Sequence, residues 1–139
     1  MSIVQTQTTS FKKELYLGTH DLTVDVLKVA LYDANADLNA NTTVYTTDHE
    51  ITGTGYSAGG KVLTGVTVSS SGYTAYVDFA NVEWNPGTFT ARCALIYNAS
   101  KGNKSIAVLD FGSDKTSVNT FTIVMPVNDA NSALIRSSN

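Results

Sequence analysis

The chain has one cysteine, two prolines and a charged fraction of only 15% in 139 residues. A single thiol, Cys93, excludes an intramolecular disulfide and any zinc site built on thiolates. Cys93 stands in the apolar stretch Ala91 to Tyr97 and reads as a small buried hydrophobe. No apolar run approaches the roughly 18 residues of a membrane span, so no membrane partner is expected. The opening residues Met1 to Thr6 lack the basic and apolar regions of a signal peptide, and synthesis in a cytoplasm is expected. Net charge is -3 and no basic cluster exceeds the pair Lys12-Lys13. Binding of nucleic acid by phosphate neutralisation is therefore not expected.

What is present is apolar and hydroxyl-rich. Hydrophobic residues make up 42%, enough for one core in a domain of this length. Thr, Ser and Asn stand where an average domain carries charge. Tyr73 to Phe79 shows the dominant pattern: Tyr73, Ala75, Val77 and Phe79 alternate with Thr74, Tyr76 and Asp78. That is the period of two of a half-buried strand. Such segments recur between Gly, Ser and Asn turns, and predict an all-β fold, a single antiparallel β-sandwich of about seven or eight strands. Residues 1–9 read as an extended polar N-terminal arm, and residues 10–139 as the one sandwich domain.

Along the chain, Ser10 to Gly18 predicts a short helix, with Ser10 as cap, Gly18 as stop, and Phe11 and Leu15 on one face. The apolar phase flips between Val26 and Leu27, which fits a bulge or a strand starting near Val26 and running to Tyr32. Residues 33–60 carry few strand signals. A loop of this length is unusual in a compact domain, so a short strand or helical turn is expected near Thr43 to Ile51. Val62 to Val68 and Tyr73 to Phe79 flank Ser69 to Gly72 as a hairpin. Phe89 to Tyr97 and Ser105 to Phe111 flank a second one. Phe121, Ile123 and Met125 give a further strand, and Ala133 to Arg136 a short last one.

The chemistry-bearing patterns are sparse. Gly53-x-Gly55-x-x-x-Gly59-Gly60 precedes a strand-like segment and lacks the ending of a phosphate loop, so nucleotide binding is not expected. Its glycines read as turn residues with positive φ. Asp33-x-Asn35-x-Asp37 begins like a calcium loop, but Leu38 and Val44 stand where an EF-hand needs Gly and Glu. His20-Asp21 and Asp48-His49-Glu50 are sequence neighbours, which point apart on a strand and make no acid–base dyad. No catalytic residue, metal or cofactor is assigned. Trp84 is expected at the end of a strand. Trp84, Tyr45, Tyr56 and Tyr73 are aromatic candidates for contact with a partner or a sugar ring, and Tyr45 and Tyr56, in the irregular region, are the better ones.

Several segments resemble small virion structural proteins of tailed bacteriophages. They are Ser10 to Leu15, Gly18 to Leu22, Leu27 to Tyr32, Gly53 to Tyr56 with Gly59-Gly60, Ala94 to Asn98 and Ala107 to Gly112. The resemblance runs from about Phe11 to Arg136 as short matches. It implies a non-enzymatic subunit present in many copies in a virion. The first placement is a capsid decoration or cement protein that bridges major capsid subunits, often as a trimer. A neck, tail or fibre-attachment protein is the alternative. On that reading the partner is the major capsid protein or another virion protein. Contact is expected from the arm, Ser2, Ile3, Val4, Gln5, Thr6, Gln7, Thr8 and Thr9, and from Tyr45 and Tyr56, with strand addition as one mode. A carbohydrate-binding or adhesin module is the rival from another class, since a β-sandwich with exposed tyrosines permits it.

Overall fold

A computed structural model describes residues 2–138. It is an antiparallel all-β fold with a single α-helix among the described residues. The elements in chain order are β1 (Thr6–Gln7), α1 (Thr9–Tyr16), β2 (Leu27–Tyr32), β3 (Lys61–Val62), β4 (Thr67–Ser71), β5 (Thr74–Asp78), β6 (Val82–Trp84), β7 (Phe89–Asn98), β8 (Lys104–Ser117), β9 (Phe121–Ile123) and β10 (Ile135–Ser138). They form a five-stranded sheet ordered β1-β8-β7-β2-β3, a three-stranded sheet β10-β5-β4 and a two-stranded sheet β6-β9.

The five-stranded sheet is buried on both faces. Leu27, Val29 and Leu31 of β2 join Phe89, Ala91, Ala94 and Ile96 of β7 on one side. That cluster also takes in Val77 of β5, Val82 and Trp84 of β6, Phe121 and Ile123 of β9, and Ile135 of β10. The smaller sheets therefore share one core with the large one. On the other side Ala30, Tyr32, Cys93, Leu95, Tyr97 and Val108 pack under Ala36 and Leu38. Burial of both faces explains why Leu27 to Tyr32 and Ala94 to Tyr97 read as continuous apolar runs rather than clean alternation.

The second cover is the irregular region. Residues 33–60 form no strand or helix, and instead lie along the sheet through isolated bridges: Tyr32 to Glu50, Val44 to Lys104 and Thr54 to Thr88. The regular element expected near Thr43 to Ile51 is absent because its bridge partners are single residues on two different strands, Tyr32 of β2 and Lys104 of β8. Gly55 (φ +88) shows how closely the region is laid down, since a Cβ there would lie 1.8 Å from the carbonyl oxygen of Pro86. Gly60 (φ +79) approaches the Val29 carbonyl to the same degree.

The helix begins two residues earlier than its sequence signals suggest. Thr8, not Ser10, is the N-cap, and its Oγ1 accepts the Phe11 N–H at 3.3 Å. Leu17 caps the other end and Gly18 follows with φ +72, the left-handed residue that stops the helix. Phe11 is fully buried, whereas Leu15 is largely exposed. The phase flip at Val26 is resolved by a strand that begins at Leu27, preceded by turns over residues 22–24. The predicted strand Val62 to Val68 divides into β3 and β4. The three serines Ser69 to Ser71 belong to β4, and only Gly72 and Tyr73 make the turn to β5. The hairpin of β7 and β8 matches its prediction and extends further, to Ser117, with irregularities at Ala91/Cys93 and Ile96/Tyr97. At the second one the extra residue is Ile106, whose carbonyl accepts the Thr8 N–H at 3.0 Å.

Candidate functional site

The N-terminal stretch expected to reach a neighbour is stitched to its own body. The Ser2 carbonyl accepts the Leu38 N–H at 2.8 Å, and Val4 N–H donates to the Leu38 carbonyl at 3.0 Å. Ile3 bridges Leu38, the Gln5 side-chain oxygen accepts the Asp110 N–H, and Thr6 and Gln7 pair with Val108 and Ala107 as β1. Thr8 is fully buried and Thr9 opens α1. These residues are not a free arm, because the edge of β8 and the bulge at Ile106 supply their backbone partners within the chain. Ser2, Val4, Gln5 and Thr9 still present exposed side chains.

Tyr45 and Tyr56 meet at one carboxylate. Tyr45 donates its hydroxyl to Glu50 Oε1 at 2.6 Å, and Tyr56 donates to Glu50 Oε2 at 2.5 Å. Gly59 N–H donates to Oε2 at 2.8 Å, and Tyr56 Oη accepts the Leu31 N–H at 3.0 Å. Tyr97 donates to the Gly59 carbonyl at 2.6 Å and stacks on Tyr45 with ring centroids 4.7 Å apart. Tyr32 donates to the Thr46 carbonyl at 2.6 Å. Burial and the Glu50 charge raise the pKa of all four phenols, that of Tyr97 to about 12. They stay protonated donors, which is what a knot tying residues 44–60 to the sheet requires. Both candidate tyrosines are half-buried, and their rings lie against Tyr97 (Tyr45) and against Trp84 and Phe89 (Tyr56). Tyr97 covers one face of the Tyr45 ring.

A second knot forms where the chain enters β2 and leaves β7. Asn98 is fully buried. Its Oδ1 accepts the Ser100 N–H at 3.0 Å, which fixes Nδ2 as donor to His20 Nδ1 (2.9 Å) and Asp25 Oδ2 (2.7 Å). His20 must then carry its hydrogen on Nε2, which lies 2.8 Å from Glu14 Oε1. Asp25 also takes Lys101 Nζ at 2.7 Å and the Asp21 N–H at 3.0 Å. Burial opposes the charge on Asp25. The bonds from Lys101, Asn98 and Asp21 outweigh it and hold the pKa down at about 2. Asp25 therefore contributes stability that is fully present above its ordinary 3.8 and is lost as pH falls toward 2. Both nitrogens of His20 are engaged, so the ring has no free lone pair with which to act as a base. The sequence pairs His20 with Asp21, but its partners lie six residues back at Glu14 and on a distant strand at Asn98.

The remaining candidates stay apart. His49 Nδ1 lies 3.6 Å from Asp33 Oδ1, with both side chains about half exposed at 49% and 47%. Asp33 Oδ1 accepts the Asn35 N–H at 2.8 Å, a local turn bond, and Leu38 at the end of that run is core. Asp37, Asp48 and His49 border a shallow groove of about 590 Å³. Among the described residues no three His, Cys, Asp or Glu side chains come together to hold a metal. Cys93 is fully buried in β7 and burial pushes its pKa up to about 12, far from a thiolate nucleophile. Trp84 ends β6 at the centre of an aromatic cluster with Tyr56, Phe89 and Phe121. Among the described residues two buried side-chain oxygens lack hydrogen-bond partners, Thr67 Oγ1 and Asp78 Oδ2, and the two residues are paired in register between β4 and β5. Desolvation raises the Asp78 pKa.

The most exposed aromatic rings among the described residues are Tyr16 at the end of α1, at 93%, and Tyr73 at the hairpin tip, at 88%. The polar constellations around Glu50 and Asn98 are thus bonded inward. No protein-family model, curated protein or solved structure matches the chain.

Proposed function

We propose that this protein is a non-enzymatic structural subunit of a tailed-bacteriophage particle, present in many copies, with capsid decoration as the first placement and neck or tail as the second. One observation carries the reading. The segments that resemble such proteins are scattered in sequence but contiguous in space. Leu27 to Tyr32, Ala94 to Asn98 and Ala107 to Gly112 fall on β2, β7 and β8, three adjacent strands of one sheet. Ser10 to Leu15 forms α1 beside β8, Gly18 to Leu22 brings His20 to Asn98, and Tyr56 bonds Leu31. The resemblance therefore covers one physical body rather than isolated words.

The construction suits a subunit of a lattice under load. Hydroxyl groups and few charges cover a core closed by polar knots, and no nucleophile is activated in either knot. A clamp across capsomer seams stabilises the closed shell by mass action, and repeated weak contacts suffice once they are linked. The partner in this placement is the major capsid protein, and the subunit acts as a homo-oligomer.

Quantitative mass spectrometry of gradient-purified particles made from the genome that encodes this chain tests the reading. The expected result is a stoichiometric component at tens to hundreds of copies, roughly matching a shell or tail lattice. Particles of normal composition that lack the chain would overturn it. If the chain is a cement, particles without it release DNA at lower temperature than complete ones.

A further inference from the structure

Strand β4 is an open edge. It pairs with β5 on one side and, among the described residues, with no strand on the other. The two-residue turn Gly72-Tyr73 closes on the pair Ser71 and Thr74. Alternation in an antiparallel ladder then turns the backbone groups of Ser71, Ser69 and Thr67 toward β5, and those of Val68 and Ser70 outward. Among the described residues neither takes part in a backbone bond outside the sheet, and both are exposed.

Other edges of the molecule are guarded and this one is not. β3 has two residues and carries Lys61. β1 has two residues and runs into α1 through the Thr8 cap. β10 carries Arg136, whose carbonyl is taken by the Gln7 side chain. β6 and β9 have three residues each, with Glu83 in the middle of β6. β4 is five residues long, Thr-Val-Ser-Ser-Ser, with no charge, no proline and no irregularity against β5. Long, regular, uncharged edges are what natural proteins avoid unless something pairs with them.

We infer that β4 pairs with β4 of a second copy of this chain, antiparallel, about a two-fold axis at Ser69. The sequence is self-complementary in that register. Ser69 faces Ser69, Val68 faces Ser70, Thr67 faces Ser71, and no like charges meet. Val68 and Ser70 of each chain exchange N–H···O=C bonds with Ser70 and Val68 of the other. The two Val68 side chains, each 52% exposed in the single chain, become diagonal neighbours on the sheet face that holds Val77. The three-stranded sheets of the two copies become one continuous sheet, an isologous contact. This inference goes beyond the virion reading and needs only the purified chain, so the two fail separately.

The test is a pair of cysteine variants under mild oxidation, read on a non-reducing denaturing gel. Ser69→Cys places two thiols at a non-hydrogen-bonded pair, with Cα atoms about 4.5 Å apart, within disulfide range. Ser70→Cys faces valine and has no thiol opposite, and native Cys93 is buried. A covalent dimer is expected for Ser69→Cys, at least tenfold more than for Ser70→Cys. Equal yields, or no dimer from either, overturn the inference. Val68→Lys supplies an independent readout: sedimentation equilibrium is expected to show self-association weakened at least tenfold, and association unchanged by that substitution overturns the inference as well.

Discussion

The five-stranded and three-stranded sheets are built by opposite rules. In the first, β2 and β7 are shielded on both faces, with Leu31 and Leu95 fully buried. In the second, β4 has no buried residue and β10 has one, Ile135. Both are antiparallel with period-two side chains, so the difference lies in what covers them. Residues 33–60 and the N-terminal stretch close the outer face of the large sheet, whereas β4 is left with a bare edge. The large sheet holds the fold together, and the small one is free to contact something else.

Substitutions in the two sheets sharpen this contrast. Leu95→Ala removes a side chain packed under Leu38 and is expected to cost about 3 kcal/mol in denaturant unfolding. Next in size is Asn98→Ala, at about 2 kcal/mol, because it strips donors from His20 and Asp25 in a dry corner. Glu50→Gln leaves one acceptor oxygen for donors that now use two. A loss of about 1 kcal/mol is expected, with faster hydrogen exchange at the Gly59 amide and unchanged exchange in β7. Should Glu50→Gln instead loosen the whole molecule equally, the irregular region is part of the scaffold and not a cover laid on it.

The small sheet predicts a gain. Asp78 has an unpartnered oxygen and a raised pKa, so the folded chain holds this proton more tightly than the unfolded chain does. The penalty is absent below the ordinary carboxylate pKa, grows as pH rises through the raised value, and is complete above it. Asp78→Asn is expected to stabilise the protein by about 1 kcal/mol at neutral pH and to lose that advantage in acid. A pH-independent effect would point to packing instead. Smallest of all, Val68→Thr is expected to change the stability of the single chain by less than about 0.5 kcal/mol.

Much of this fold is legible in the sequence. The hairpin from Phe89 to Phe111 and the strand ending at Tyr32 announce themselves by length and apolar content. The burial of both faces departs from the half-buried strands expected, and its trace in the sequence is the continuous runs Leu27 to Tyr32 and Ala94 to Tyr97. What stayed hidden is long-range. Glu50 finds Tyr45 and Tyr56 within a few residues, yet only the sheet beneath brings Tyr97 to the same place. His20 and Asn98 are 78 residues apart, and no local spacing encodes their bond. The N-terminal stretch looked free because its side chains are polar, but its backbone is held at Leu38, Ile106 and Val108. Deleting residues 2–9 would remove the Thr8 cap and β1, so it cannot serve as a clean test of partner contact.

The central claim is that the closed sheet carries stability and the open edge carries association. Hydrogen exchange of single amides, followed as a function of protein concentration, tests it most directly. The account predicts that the Val68 and Ser70 amides slow at least tenfold on going from dilute to concentrated protein, while those of β2 and β7 keep their rates. Val68 and Ser70 exchanging at one fast rate across the whole range would contradict it.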